Sequence, residues 1–287
     1  MTTRIIFCAP YRVPVACVSL RFDHNLVGLS NSIIVSPVNT PDLFRYLSNY
    51  GIDTNRFDHV HDRELIAHYP EIEHWVFEND PRNNWLKQQA LKLAALDYIK
   101  FESALIQDPD TWLTVPYRSV DGERLTMLAL EDTTEGSYDP VLPSVLGLER
   151  QTEHCFVTEF MPVLKADWMA LKHTLEKRHN RDFLTAIIDN IPGTETIDGT
   201  QELKWFSEYE FLGNWTMTQR AVDFLFQTRF HFSSVEDLAA LDHKLYNSLC
   251  DQSSGQSPAL GFDSWNTGNI PNYDRCIELL SQHYHLS

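Results

Sequence analysis

Two short apolar runs, each closed by a proline, constrain this chain more than any other feature. Arg4-Ile5-Ile6-Phe7-Cys8-Ala9 stops at Pro10, and Ser32-Ile33-Ile34-Val35-Ser36 stops at Pro37. Neither run alternates with polar residues, so each reads as a strand buried on both faces, as in a parallel sheet covered by helices. After the second run, Thr40-Pro41-Asp42 signals a helix start, with Thr40 as N-cap and Pro41 in the first helical position; Gly51 marks the end. Phe57–His61 reads as a third strand. This strand–helix–strand rhythm predicts a Rossmann-type α/β sheet with crossover helices.

Further along, 85–96 is predicted as a two-faced helix. Leu86, Ala90, Leu93 and Ala94 form a core stripe, while Trp85, Gln88, Gln89 and Lys92 form a second stripe of large hydrogen-bonding groups. Ser103–Gln107 reads as a strand with Asp108-Pro109-Asp110 at its carboxyl end. Segments 125–130 and 155–158 are further strand candidates, and helices are predicted over Lys165–His179 and 182–190. Ser207 reads as an N-cap ahead of Glu208-Tyr209-Glu210, and Ser233-Ser234-Val235-Glu236 has capping-box spacing, opening a helix toward Leu249. Residues 251–258 read as a mobile loop. The division expected is a catalytic domain over 1–235 and a helical extension over 236–287 packed on it.

Composition narrows the function classes. Twenty-three Lys and Arg stand against 40 Asp and Glu, a net charge of −17, which repels polyanions and disfavours DNA or anionic membrane as partners. No apolar stretch approaches the ~18 residues a membrane span needs, and no signal peptide is visible, so a cytoplasmic location is expected. The five cysteines, Cys8, Cys17, Cys155, Cys250 and Cys276, form no C-x-x-C pair. The pairs His59/His61, His173/His179 and His283/His285 match no zinc spacing. There is no G-x-G-x-x-G, Walker A or G-x-S-x-G motif, so dehydrogenase, P-loop and hydrolase readings lose their usual support.

The paired carboxylates Asp108 and Asp110 are the chemistry-bearing element. Oxygen ligands after a buried strand suit Mg²⁺ or Mn²⁺, whose remaining positions a diphosphate fills. Read against this is an ordinary acidic turn. Gln88, Gln89 and Lys92 offer amides and a point charge to a sugar and a phosphate, and Trp85 offers a stacking surface; the alternative is a solvated helix face. Glu208 and Glu210, among aromatics, read either as a general base with its partner or as ordinary acids of a first helical turn. Asp132 and Glu159 are the carboxylates next in line.

These segments together resemble a bacterial and phage family of GT-A-like glycosyltransferases. The likeness rests on Trp85-Leu86-Lys87-Gln88-Gln89-Ala90-Leu91-Lys92-Leu93, on Gln107-Asp108-Pro109-Asp110-Thr111, and on Ser207-Glu208-Tyr209-Glu210-Phe211-Leu212-Gly213-Asn214-Trp215. It covers roughly residues 4–235, and departs from the pattern at Pro109. The resemblance implies a GT-A-like mixed sheet with flanking helices and a helical C-terminal segment. It implies a nucleoside-diphosphate sugar as donor, with UDP-sugars foremost, and a carbohydrate or other hydroxyl acceptor, modified phage DNA staying open. Asp108 and Asp110 look like metal and diphosphate ligands, Tyr11 and Arg12 like base and ribose contacts, and His231 is similar in position to a late metal-ligating histidine. A non-catalytic nucleotide- or carbohydrate-binding protein and a nucleotidyltransferase are the rival readings; the second normally has a glycine-rich loop where this chain has Cys8-Ala9-Pro10-Tyr11-Arg12.

Overall fold

The computed structural model describes residues 2–7, 13–21, 23–75, 83–122, 124–131, 138–195, 202–204, 206–232 and 256–262, for 14–15, 18, 193–195, 202–204, 228–232 and 256–262 in backbone only. The first sheet is built from β1 (Thr2–Phe7), β2 (Leu29–Ser36), β3 (Phe57–His61), β4 (Ser103–Gln107) and β8 (Phe160–Leu164). Its order is β3-β2-β1-β4-β8; the first four strands run parallel, and β8 is antiparallel to β4.

Both faces of this sheet are covered at its centre, which is why β1, β2 and β4 carry consecutive apolar residues there. Ile5 and Phe7 of β1 enter a large core with Leu86, Ala90 and Leu93 of helix α4 (Asn83–Tyr98). Ile6 points the other way, among Cys17 and Leu20 of α1 (Val13–Arg21) and Leu43 and Leu47 of α2 (Thr40–Asn49). The N-cap of α2 is Asn39 rather than Thr40: the Asn39 side chain accepts from the Asp42 N–H at 3.0 Å, placing Thr40 inside the helix. Helix α3 (Asp62–His68) follows β3 directly, with His61 as its cap.

The second sheet has the order β5-β12-β11-β7-β6, from β5 (Thr111–Leu113), β12 (Gln256–Phe262), β11 (Asp223–Phe232), β7 (Arg124–Ala129) and β6 (Val120–Asp121). It packs on β4, where Leu105 meets Leu113, Leu128 and Phe160. Of the segment 236–287, expected as a helical extension, 256–262 are described; they form β12, an interior strand paired with β11 and β5. The expected helix over 233–249 lies outside the described residues. So do Cys8, Cys250 and Cys276.

Segment 155–158, expected as a strand, makes only an isolated bridge, Cys155 to Leu130, and the strand begins at Phe160. The remaining elements are α5 (Lys165–His179), α6 (Phe183–Ile188), the hairpin β9 (Gly193–Glu195) with β10 (Glu202–Lys204), and α7 (Glu208–Gln219). The Ser207 hydroxyl accepts from the Glu210 N–H at 3.3 Å and caps α7 as its sequence predicts. Among the described residues, no helix is long and apolar enough to cross a membrane.

Helix α7 is seated through Gly213. A Cβ added there would stand 2.5 Å from two ring atoms of the buried Phe156. Gly213→Ala gains about 1 kcal/mol of helix propensity but overpacks a filled contact, at about 1–3 kcal/mol. A net loss of stability is expected in urea unfolding, with m unchanged; a variant more stable than the parent would show that Phe156 yields freely.

Candidate active site

Strand order marks one end of the first sheet as the candidate site. From β1 the chain builds outward through β2 and β3, then returns to place β4 on the other side of β1. Such a reversal opens a crevice beyond the carboxyl ends of the two diverging strands, where open α/β sheets bind ligands. Asp108 stands at that end of β4. Its N–H donates to the Glu159 carbonyl at 3.1 Å, carrying the β4–β8 pairing one step past the strand. The Gln107 side chain donates to the Thr111 carbonyl at 3.0 Å and ties the two ends of the Asp-Pro-Asp turn. That turn therefore joins the two sheets, from β4 to β5. Tyr11 and Arg12, on the loop after β1, lie outside the described residues.

The three segments singled out in the sequence meet at Asp108. Lys92, from α4, is 1% exposed, and its Nζ lies 2.6 Å from Asp108 Oδ1. The same ammonium donates to Glu208 Oε1 and, at 3.2 Å, to the Tyr209 hydroxyl, both from the first turn of α7. With its amide turned so that the oxygen takes the Trp85 indole N–H at 3.1 Å, Gln89 gives its nitrogen to Glu208, 3.0 Å from Oε1. Trp85 packs against the core, and Gln88 is half-buried beside it. The second stripe of α4 is thus no solvated face: Gln89 and Lys92 are buried and turned toward α7 and Asp108.

The electrostatics of this cluster follow from burial. Desolvation lowers the ammonium pKa of Lys92, yet the carboxylates of Asp108 and Glu208 outweigh it, and Lys92 is held charged. Burial pushes the Glu208 carboxyl up, with Lys92 opposing and the Asp108 charge reinforcing. The Tyr209 phenol is driven well above its ordinary value, first by burial and then by Asp108, Glu208 and Glu159, so it stays a neutral donor.

Glu210 serves elsewhere. It accepts from the Phe156 N–H at 2.8 Å and from Asn214 Nδ2 at 3.3 Å, and its Oε2 lies 3.2 Å from Arg150 Nη1. Burial raises its pKa, with Arg150 opposing. Asn214 in turn accepts the Gln151 N–H at 2.8 Å. Glu210 and Asn214 therefore pin the 150–156 loop to α7. Sequence reasoning did not single out Tyr209 or Arg150; their signal, a phenol between two acids and an arginine far along the chain, appears only after folding.

For a divalent cation, the chemistry of the donors fits: Asp108 and Asp110 supply hard oxygens, Asp108 being 18% exposed and Asp110 buried. Among the described residues, no three His, Cys, Asp or Glu side chains converge as a metal group. Attachment would rest on one or two carboxylates and the oxygens of a bound diphosphate. The backbone register places His231 opposite Gly261, itself opposite Thr111, so His231 lies two strands from the Asp-Pro-Asp turn, about 10 Å at ordinary strand spacing. Its side chain lies outside the described residues.

Solved glycosyltransferases are among the structures this chain is similar to in fold. The apo bifunctional glycosyltransferase WbbM matches at TM-score 0.49 and 11% identity over 99% of this chain, which spans 51% of WbbM's length. Mouse xyloside xylosyltransferase 1, also apo, matches at TM-score 0.49 and 8% identity, over 93% of this chain and 99% of the other. The galactosyltransferase LgtC, solved with donor and acceptor sugar analogues, matches at TM-score 0.46 and 13% identity, over 98% and 96%. No family model and no curated protein matches the chain.

Proposed function

We propose that this chain is a metal-dependent glycosyltransferase that moves a sugar from a nucleoside-diphosphate sugar, of the UDP type, to an acceptor hydroxyl. One observation carries this reading. Lys92 of the W-x-x-Q-Q helix, Asp108 of the D-x-D turn and Glu208 of the S-E-Y-E segment, 116 residues apart at the extremes, are gathered at the strand-order reversal of an α/β sheet. A set of sequence features that converges on the crevice is support that no one of them gives alone.

Asp108 and Asp110, with His231 as a further candidate, would hold Mg²⁺ or Mn²⁺, which when bound offsets charge on the departing diphosphate. Lys92 keeps the Asp108 carboxylate fixed and partly neutralised. The bulk of Trp85, Phe206 and Tyr209 excludes water from behind it. Gln88 is assigned to the donor pocket, and Tyr11 and Arg12 to the base and ribose. A cytoplasmic site of action accompanies this reading.

A second reading has its own support. Lys92 already neutralises the carboxylate a cation would use, as suits a nucleotide- or carbohydrate-binding protein without turnover. A panel of sugar nucleotides incubated with the protein and Mn²⁺ separates the two. The transferase reading expects slow release of nucleoside diphosphate from at least one donor, abolished by chelation. Binding without release from any donor would support the second reading.

A further inference from the structure

Arg4 puts a charge inside the apolar run of β1, and the transferase reading gives it no role. Its side chain is wholly buried. By strand alternation it shares a face with Ile6, whose cluster belongs to α1 and α2. Its register partners are Ser32 on β2 and Leu105 on β4. Leu105 belongs to an apolar cluster with Leu26, Leu113 and Tyr117, so the guanidinium stands in surroundings that solvate a charge poorly. Asp108 lies beyond the end of β4, so this place is separate from the crevice.

A guanidinium offers five N–H donors. The Arg4 Nε donates to Ser32 Oγ at 3.1 Å. Its Nη1 and Nη2 find no hydrogen-bond acceptor among the described residues. Asp23 Oδ2 comes only to 3.8 Å from Nη2, beyond hydrogen-bond reach, and that same oxygen accepts from Arg56. Asp23 is 9% exposed, whereas Arg56 is 60% exposed and marks the side toward solvent. Two cations thus share one carboxylate and leave one positive charge over. Burial lowers the Arg4 pKa to about 10, against the pull of Asp23 and with the help of Arg56, and the group is still cationic at neutral pH.

Unmet donors on a buried charge are costly and rare. A water would meet the donors and leave the charge. A phosphate is too large and too highly charged for a place bordered by the Asp23 carboxylate and by Ser32 and Asn25, both buried. A compact monovalent anion meets both needs.

We propose that Arg4 and the Ser32 hydroxyl bind a chloride-sized monovalent anion beneath the Asp23–Asn25 turn, with the Arg56–Asp23 pair on its solvent side. The Ser32 oxygen accepts from Arg4 and keeps its own proton to donate to the anion. Bound there, the anion ties β1 and β2 to the turn between α1 and β2. The site is independent of the transferase reading and needs neither nucleotide nor metal.

The test melts the full chain, without nucleotide or Mn²⁺, in sodium chloride against sodium gluconate at equal ionic strength, gluconate being too bulky to enter and screening being held constant. The wild-type Tm should rise saturably with chloride, by about 2 °C or more once chloride is well above its Kd, and bromide should act alike. Arg4→Met removes the charge and should lose the chloride-specific gain. Should that variant not fold, crystals of the wild type grown in bromide replace it: an anomalous peak at hydrogen-bond distance from Nη1 or Nη2 is the expected result. A wild-type Tm that does not distinguish chloride from gluconate overturns the proposal. So does a folded Arg4→Met with the full chloride gain, or a water in place of bromide at the Arg4 guanidinium.

Discussion

Lys92→Met should destabilise the protein by about 3–5 kcal/mol, the usual consequence of removing one member of a buried ion pair. The side chain is 1% exposed and stands between Asp108 and Glu208, so methionine fills its volume but leaves two carboxylates facing each other. At about 2–4 °C per kcal/mol for a chain of this size, Tm should fall by ten degrees or so. Adding Glu208→Gln removes the second buried charge and should restore most of that loss, since a buried pair replaced by neutral groups of similar volume is often tolerated. A double-mutant cycle measures the coupling. A Lys92→Met variant within about 0.5 kcal/mol of wild type, the range of ordinary surface changes, would mean that Lys92 is not held as an ion pair.

The same variant carries a pH signature. Burial is the largest influence on Glu208 and pushes its carboxyl above the ordinary 4.5; Lys92 is what opposes this. Without Lys92 the folded-state value stands higher still. A group whose pKa is raised on folding adds stability at pH below its unfolded value, and this is lost as pH rises through the folded value. The deficit of Lys92→Met should therefore be largest at neutral pH and above, and shrink as pH falls toward 4.5.

The central sheet was legible where burial on both faces leaves a mark in sequence, as in Ile33–Val35 of β2 and Ala104–Ile106 of β4; β3 falls at its expected 57–61, and α7 begins at its serine cap. Strand β8 was misplaced toward 155–158 for two local reasons. Pro162 lies inside it, a residue that argues against a strand but is tolerated on an edge, which is where β8 lies. Glu159 then breaks the extended conformation just before it. Of the second sheet, β7 was legible at 125–130, but β5 and β6 are three and two residues long and the partner of β5 comes from 259–261. At the site, Asp108 and Asp110 stood out by spacing and position. That Glu208 would turn inward to Lys92 was not legible, because a first-turn acid reads the same whether it caps a helix in water or meets a buried ammonium 116 residues away.

In the proposed transferase, Asp108 and Asp110 are the attachment point for a diphosphate and its cation. Asp108→Asn with Asp110→Asn should leave the fold standing, because Lys92 keeps Glu208 and the Tyr209 hydroxyl as partners. The measurement is the thermal shift of wild type and double variant with UDP, with and without Mn²⁺. Ligand at 100 times its Kd stabilises the native state by about 2.7 kcal/mol, so the wild type should gain several degrees with UDP and Mn²⁺ together and much less with either alone. The double variant should melt near the unliganded wild type and show no Mn²⁺-dependent gain. A double variant that keeps the full shift would contradict the account and place the diphosphate site elsewhere.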